Sequence, residues 1–205
     1  MSLSATAPSA AGSVSYDTTG DGLLFSMTMD EQVEVTGPLA AKLFVETTST
    51  DADLFLVVRV FHPDGEEVVF HGALDPHTPV AQGWLRASHR KLDATMSEPY
   101  RPFHPHDTAE PLQPGSVYEV DVEIWPTCVV IPAGYTVSLS VRGKDYVYPG
   151  ESAHLSNMPK PMTGVGPFVH NDLSNRPPEV FDSTVTVHTG GATPSSLLVP
   201  LIPAS

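Results

Sequence analysis

The sequence predicts an all-β protein, a jelly-roll β-sandwich, and three observations carry that prediction. Apolar and polar residues alternate with a period of two through Val117 to Asp145, which is typical of half-buried antiparallel strands. Proline is abundant, with 21 residues in a chain of 205, and prolines of β proteins lie in turns, at edges and in loops. Long segments with the apolar period of a helix are absent from the sequence.

The stretch from Val117 to Asp145 is interpreted as the central hairpin of two packed sheets. The residues predicted to point into the core along its first half are Tyr118, Val120, Val122 and Ile124. Those predicted to point inward along its second half are Tyr135, Val137, Leu139 and Val141, with Thr136, Ser138, Ser140 and Arg142 outward. Pro132 to Gly134 supplies the turn, because proline presets φ and glycine accepts a positive φ.

Earlier strands are predicted from short apolar runs. They are Leu23 to Met29, Gln32 to Val35, Pro38 to Thr47 and Asp53 to His62. The last of these is apolar at nearly every residue, which is typical of a central strand buried on both faces. The Pro63-Asp64-Gly65 turn then predicts a hairpin to a strand over Glu66 to Leu74.

Three further strands and two long irregular segments complete the predicted fold. The strands are Gln82 to Arg90 and a final hairpin of Thr184 to His188 with Ser196 to Ile202 around Gly190-Gly191. The irregular segments are Leu92 to Pro114 and Tyr146 to Val180, both rich in proline. Ten or so strands with two long crossovers favour a jelly roll.

The predicted organisation is one domain over residues 16–205, preceded by a disordered leader at 1–15 in which Met1-Ser2-Leu3 looks like an expression scar. The net charge of −14, from 10 basic and 24 acidic residues, argues against nucleic acid and anionic membranes as partners. Cys128 is the only cysteine, so the fold needs no intrachain disulfide, and this favours a cytoplasmic location.

The sequence contains no clear motif for a catalytic nucleophile, and we predict no catalytic residue and no cofactor. The G-x-S-x-G elbow of α/β serine hydrolases is absent, and its nearest approach is Gly150 to His154. Cys128 lies beside Val129 to Ile131 and is expected to be a buried, inert thiol.

Two sets of polar residues are candidate metal ligands. His104, His106 and Asp107 offer nitrogen and oxygen donors that zinc accepts, but a zinc site needs three or four protein ligands. Asp51 and Asp53 offer oxygen donors for calcium, and the favoured alternative is that they cap the start of a strand. We therefore predict no metal site.

Two other classes of function are weighed. A carbohydrate-binding jelly roll would expose aromatic side chains, but Trp84 and Trp125 each fall within a strand pattern, which favours the core or a domain interface. A metal-dependent enzyme of cupin type would group histidines inside a barrel, whereas those in the predicted strands are dispersed, at His62, His71, His89 and His188.

A series of segments resembles the C-terminal β domain of the X-prolyl dipeptidyl-peptidase and cocaine-esterase (CocE/NonD) type serine hydrolases. The matching segments begin at Gly22, Val33, Ser49, Pro63, Gly83, Tyr100, Pro114, Glu123, Pro132, Leu139 and Pro194. They include S-T-D-A-D-L at Ser49 to Leu54 and G-W-L-R-A-S-H-R at Gly83 to Arg90. The resemblance extends from about Tyr16 to Pro203, except over Tyr146 to Asp182.

The resemblance implies a non-catalytic, galactose-binding-like jelly roll that packs on an α/β-hydrolase domain and helps to enclose its active site. The family's catalytic triad lies in that other domain, and the substrate class stays open among Xaa-Pro peptides, acyl esters and β-lactam-type amides. The expected interface residues are Trp84, Arg86, His89, Arg90, Tyr100 and Arg101, with Tyr146 to Val180 as a second surface. A homodimer through edge strands is a further expectation.

Overall fold

A computed structural model describes residues 1–151 and 162–203, and it is a β-sandwich of two antiparallel sheets. The first sheet contains β1 (Gly12–Asp17), β3 (Val33–Thr47), β7 (Tyr118–Ile131), β9 (Thr184–Thr189), β10 (Ser196–Leu198) and β11 (Leu201–Ile202). The second contains β2 (Leu23–Thr28), β4 (Asp53–Phe61), β5 (Glu67–Val68), β6 (Ala81–Arg86) and β8 (Thr136–Arg142). The helix α1 (Pro178–Phe181) is a single turn. No helix in the described ranges is long and apolar enough to cross a membrane.

The core lies between the two sheets and confirms the predicted all-β class. Alternate residues of β4 point into it, and they pack with the buried residues of β7. The residues that meet there include Leu54, Leu56, Val58, Val60, Val120, Val122 and Ile124. The other face of β4 is also buried, as its apolar sequence predicted, because residues 143–146 and 164–176 cover it.

The central stretch does not form the predicted hairpin. β7 pairs with β3 in one sheet, whereas β8 pairs with β2 and β4 in the other, so the turn at Pro132 to Gly134 crosses between sheets. The inward positions of β7 and β8 are confirmed. Three residues predicted to point outward from β8, namely Ser138, Ser140 and Arg142, are nevertheless buried. A strand between two neighbours, under a covering segment, has no solvated face.

The predicted final hairpin is also wrong. β9 and β10 both run antiparallel to β3, pairing with Phe44 to Thr47 and with Ala40 to Lys42. They therefore run in the same direction, and β11 continues along β3 to Glu34. Residues 190–195 form an excursion between two segments that pair with one long strand.

Three predicted strand boundaries change. The two strands expected between Gln32 and Thr47 are one continuous strand, β3. The expected strand over Glu66 to Leu74 shrinks to Glu67–Val68 because the chain then folds on itself, with Phe70 bridging Thr78. β6 ends at Arg86 rather than Arg90, where Ala87–His89 forms a 3-10 turn.

Part of the expected leader belongs to the sandwich. Residues 12–15 lie in β1, where Gly12 pairs with Thr189 of β9. Backbone hydrogen bonds also join Met1 and Leu3 to Ser26 of β2. These contacts place both stretches along strands of the fold.

A β-bulge in the β3–β7 pair decides which side chains of β7 face outward. Gly37 pairs with Thr127 and Leu39 with Ile124, so two residues of β7 lie opposite Pro38 alone. Buried positions are therefore even-numbered before the bulge and odd-numbered after it. Trp125 continues the outward set that precedes the bulge and is 60% exposed. Cys128 lies beyond the bulge and is exposed as a result, which corrects the prediction of a buried thiol.

Candidate docking face

A pocket of about 860 Å3 opens on the outer side of the second sheet. Its floor is the start of β4 and the end of β6, and its walls are the loops at residues 102–106 and 169–176. The polar and aromatic side chains that line it include Phe55, Trp84, Arg86, His106, His170 and Arg176. The two surfaces that the sequence predicted separately therefore meet at one pocket.

The floor is organised by Asp53. Its two carboxylate oxygens accept hydrogen bonds from Nε and Nη2 of Arg86 at 2.8 and 2.9 Å, and Oδ2 also accepts one from Nε of Arg176 at 2.8 Å. The hydrogen bonds to Asp53 raise the pKa of Arg86 above its usual value, although partial burial acts in the opposite direction. Both arginines also lie over the ring of Phe181.

The second wall is held by polar contacts with the segment after β8 and with Asp75. Arg176 donates to the backbone oxygens of His170 and Gly143 at 2.7 and 2.6 Å. Asp145 accepts a hydrogen bond from the backbone N–H of His170 at 2.7 Å and contacts its Nδ1 at 2.9 Å. Buried Asp75 holds the chain just before this wall, accepting hydrogen bonds from Gly164 and Gly166. The wall is thus an irregular segment with fixed backbone positions.

The mouth of the pocket carries exposed apolar groups. Trp84 and Trp125 meet edge to face, with ring centroids 5.2 Å apart. Gly83 allows this contact, because a Cβ there would lie 2.0 Å from the backbone oxygen of Glu123. Phe103 is 40% exposed and Val169 52% exposed on the two walls. Trp125 is therefore outside the core, and its expected place at an interface stays a prediction.

Three histidines lie together at the rim. The Nδ1 atoms of His89 and His106 are 3.1 Å apart, and the rings of His104 and His106 are 6.0 Å apart. Both nitrogens of His104 face backbone oxygens, those of Lys91 and Asp121, and Asp107 pairs with Lys91 at 2.9 Å. Within residues 1–151 and 162–203 no three His, Cys, Asp or Glu side chains form a metal-binding group.

The other residues singled out from the sequence have varied surroundings. Asp51 accepts hydrogen bonds from the backbone of Ala52 and Ser88, which supports a capping role. Arg90 lies over Tyr118 and pairs with Glu110, so it braces the loop.

Two of the histidines considered for a cupin-type metal site lie apart from each other, His62 against the Tyr135 ring and His188 against Glu46. Gly150 and Glu151 of the nearest elbow-like segment are described, but Ser152 to His154 lie outside the described residues.

Besides Arg90, which does not line the pocket, the predicted interface residues divide into three groups. Trp84 and Arg86 line the pocket, and His89 contacts the pocket-lining His106. Tyr100 and Arg101 are exposed beside the first wall, and neither lines the pocket. His170 and Arg176 fall within the expected second surface, but the sequence did not single them out, because the resemblance does not cover that segment. Asp145 ends a matching segment, and nothing in the sequence indicated its contact with His170.

Acidification is expected to destabilise the protein through His106. Partial desolvation lowers the pKa of its exposed ring, and the nearby His89 and His104 act in the same direction. The unfolded chain therefore takes up this proton first as the pH falls. Above the pKa of histidine in the unfolded chain, about 6.5, neutral His106 makes its full contribution to stability. As the pH falls below that value and through the lower pKa of His106 in the folded protein, this contribution is lost.

Urea denaturation at pH 7.5 and 5.5, in the presence of a chelator, checks this expectation. H106N should lose less stability between these pH values than the native protein does, and asparagine tolerates the positive φ of 53° at this position. H71N removes an exposed histidine elsewhere and should keep the native pH dependence. Equal pH dependence of H106N and the native protein would contradict the expectation.

Comparison with known proteins agrees with this architecture. Residues 2–198 match the family described as the X-Pro dipeptidyl-peptidase C-terminal non-catalytic domain. Two proteins named "Putative serine esterase", from Mycobacterium bovis and Mycobacterium tuberculosis, are 29% identical over 125 residues. That alignment covers 58% of this chain and 18% of each relative.

Solved structures show the same fold. A CocE/NonD family hydrolase from Staphylococcus aureus is 27% identical, with a TM-score of 0.82 over 98% of this chain and 34% of the hydrolase. An aminopeptidase from a marine sediment archaeon of the Thaumarchaeota shares the fold, at 18% identity over 89% of this chain and 26% of its own, with a TM-score of 0.59. The chain thus spans about a third of the staphylococcal hydrolase and less of the other relatives. It belongs to the family of X-Pro dipeptidyl-peptidase C-terminal non-catalytic domains.

Proposed function

We propose that this chain is the C-terminal domain of a longer serine hydrolase and that its pocket face docks on the α/β-hydrolase domain. The family assignment supports this role, as does the 34% share of the staphylococcal hydrolase that the chain covers. The observation that carries the proposal is a cluster of exposed apolar side chains, around Trp125 and Phe103, on an anchored pocket. Contiguous apolar surface of this kind marks interaction sites.

The docking surface comprises the pocket walls, Trp125 and the six residues expected from the sequence, namely Trp84, Arg86, His89, Arg90, Tyr100 and Arg101. Its role is to stabilise the catalytic domain and help to enclose the active site. The activity of the whole protein is dipeptidyl-peptidase or acyl esterase. Family and relatives carry names of both kinds, X-Pro dipeptidyl-peptidase and serine esterase.

The substitution W125E tests this docking surface. In the isolated domain we expect little change in stability, because the side chain is 60% exposed. In the full-length hydrolase it should bury a carboxylate at an apolar interface, lowering the melting temperature and the activity. Differential scanning calorimetry on both forms measures the effect.

V130E is the matched control. Val130 lies on the same strand, is 52% exposed, and lies beyond the bulge, away from the pocket. It should be neutral in both forms. A W125E full-length hydrolase with native melting temperature and activity would show that this face is free, and the docking proposal would fall.

Three finer points stay proposals. We propose a cytoplasmic location, because the single cysteine requires no oxidising compartment. Cell fractionation tests this location.

We propose that a homodimer forms through β1, which ends the first sheet and pairs only with β9 among the described strands. Sedimentation analysis of the domain distinguishes this dimer from a monomer. The galactose-binding-like subtype of the sandwich also remains a prediction.

A further inference from the structure

The rim of the pocket brings two imidazole nitrogens unusually close. His89 closes the 3-10 turn after β6, and His106 lies in the loop of the first wall. Their Nδ1 atoms are 3.1 Å apart. His106 is the only non-glycine residue with a positive φ in the described part of the chain, at 53°. Backbone conformations of this kind are strained and concentrate at functional positions.

The separation matches the spacing of two ligands on one metal ion. Imidazole nitrogens bind zinc at about 2.0–2.1 Å, which places two of them about 3.3 Å apart in a tetrahedral site. The ring centroids of His89 and His106 are 5.2 Å apart, close to the roughly 5.2 Å that the same tetrahedral arrangement requires. The same 3.1 Å separation suits an N–H···N hydrogen bond between the two rings, so a metal ion would compete with that hydrogen bond.

We propose that His89 and His106 bind one divalent transition-metal ion of the zinc, nickel or copper class, whose other coordination positions are open to water. Imidazole suits these metals, whereas magnesium and calcium prefer oxygen ligands. His106 is exposed and His89 is half-buried, so the ion can reach both. The net charge of −14 raises the local concentration of cations.

The neighbouring side chains define the limits of the site. His104 is excluded as a ligand because both of its nitrogens face backbone oxygens. Asp107 is engaged by Lys91. The site thus has two protein ligands, fewer than a structural zinc site. It lies on the proposed docking surface, so its test uses the isolated chain, in which that surface is open.

Isothermal titration calorimetry tests the site. After treatment with a chelator and its removal, the chain is titrated with ZnCl2 at pH 7.5. We expect one saturable equivalent, no comparable binding of CaCl2 or MgCl2, and an affinity in H106N that falls by about tenfold or more, since even indirect contacts to a metal are worth that much. The His89 and His106 ring resonances should shift together in NMR spectra.

The controls separate this site from other surface histidines. H71N should bind zinc like the native chain, and H89N should match H106N. Thermal melting verifies that each variant is folded. If H89N does not fold, H106N alone tests the site. No saturable binding, or native affinity in H106N, would overturn the proposal, because binding would then be absent or would use other groups.

Discussion

Replacing Asp53 with asparagine is expected to lower the free energy of unfolding by about 3 kcal/mol or more. The carboxylate is buried and is the shared partner of Arg86 and Arg176. Asparagine keeps the shape but removes the charge, which leaves two partly buried guanidinium groups without their counter-ion. Removing one partner of a buried ion pair lowers the free energy of unfolding by more than the intact pair contributes to it, because the remaining charges stay desolvated.

The same change should loosen the second wall of the pocket. Arg176 links Asp53 of the sheet to the backbone of His170, so an unpaired Arg176 no longer holds that loop. Hydrogen exchange of the amides at residues 164–176 should therefore accelerate more than exchange in β7. This local effect would distinguish loss of the clamp from a uniform loss of stability.

Urea denaturation followed by tryptophan fluorescence measures the change in stability. D107N is the matched control, because Asp107 pairs with Lys91 on the exposed loop and its side chain is 55% exposed. Exposed ion pairs contribute little, so D107N should stay close to the native protein. If D53N lost no more stability than D107N, the ion-pair account of the pocket floor would be wrong.

Replacing Gly83 with alanine is expected to lower the free energy of unfolding by about 3 kcal/mol, at the upper end of overpacking effects. The new Cβ would lie 2.0 Å from the oxygen of Glu123 and 3.0 Å from the Cα of Ile124. These are backbone atoms of β7 in the opposite sheet, and Ile124 is fully buried. The strands β6 and β7 must separate to admit the methyl group, since no flexible side chain can move aside.

Fluorescence reports this separation directly, because the chain contains only two tryptophans and they touch beside Gly83. G115A is the control: Gly115 has a φ of +78° but its Cβ would meet nothing within 4 Å. It should cost about 1 kcal/mol through backbone strain alone and leave the fluorescence unchanged. A G83A variant as stable as G115A would show that the sheets are not in close contact here.

The sequence motifs of the resemblance acquire a physical meaning in the fold. Ser49 to Leu54 and Gly83 to Arg90 lie on β4 and β6 or just beside them, and the two strands pair. Asp53 binds Arg86 across that pair, and Asp51 binds the backbone of Ser88. The aspartate and arginine positions of these two motifs thus hold the two segments together and shape the pocket floor.

By itself the sequence determined the fold class, most strands and the family, because these depend on local order. A period of two identifies a strand and its inward face wherever it lies, as it does for Val120 to Ile124. Tertiary structure alone decided the strand partners, since periodicity carries no information about which edge a strand joins. β7 and β8 therefore looked like a hairpin, yet they lie in different sheets.

The candidate site depended on tertiary structure for the same reason. One extra residue opposite Pro38 turned Cys128 outward, and alternation read along a single strand cannot reveal such a shift. Ser140 is buried because residues far along the chain cover its sheet. His170 and Arg176 join the pocket through contacts with Asp145 and Asp53, and only the folded chain brings these pairs together.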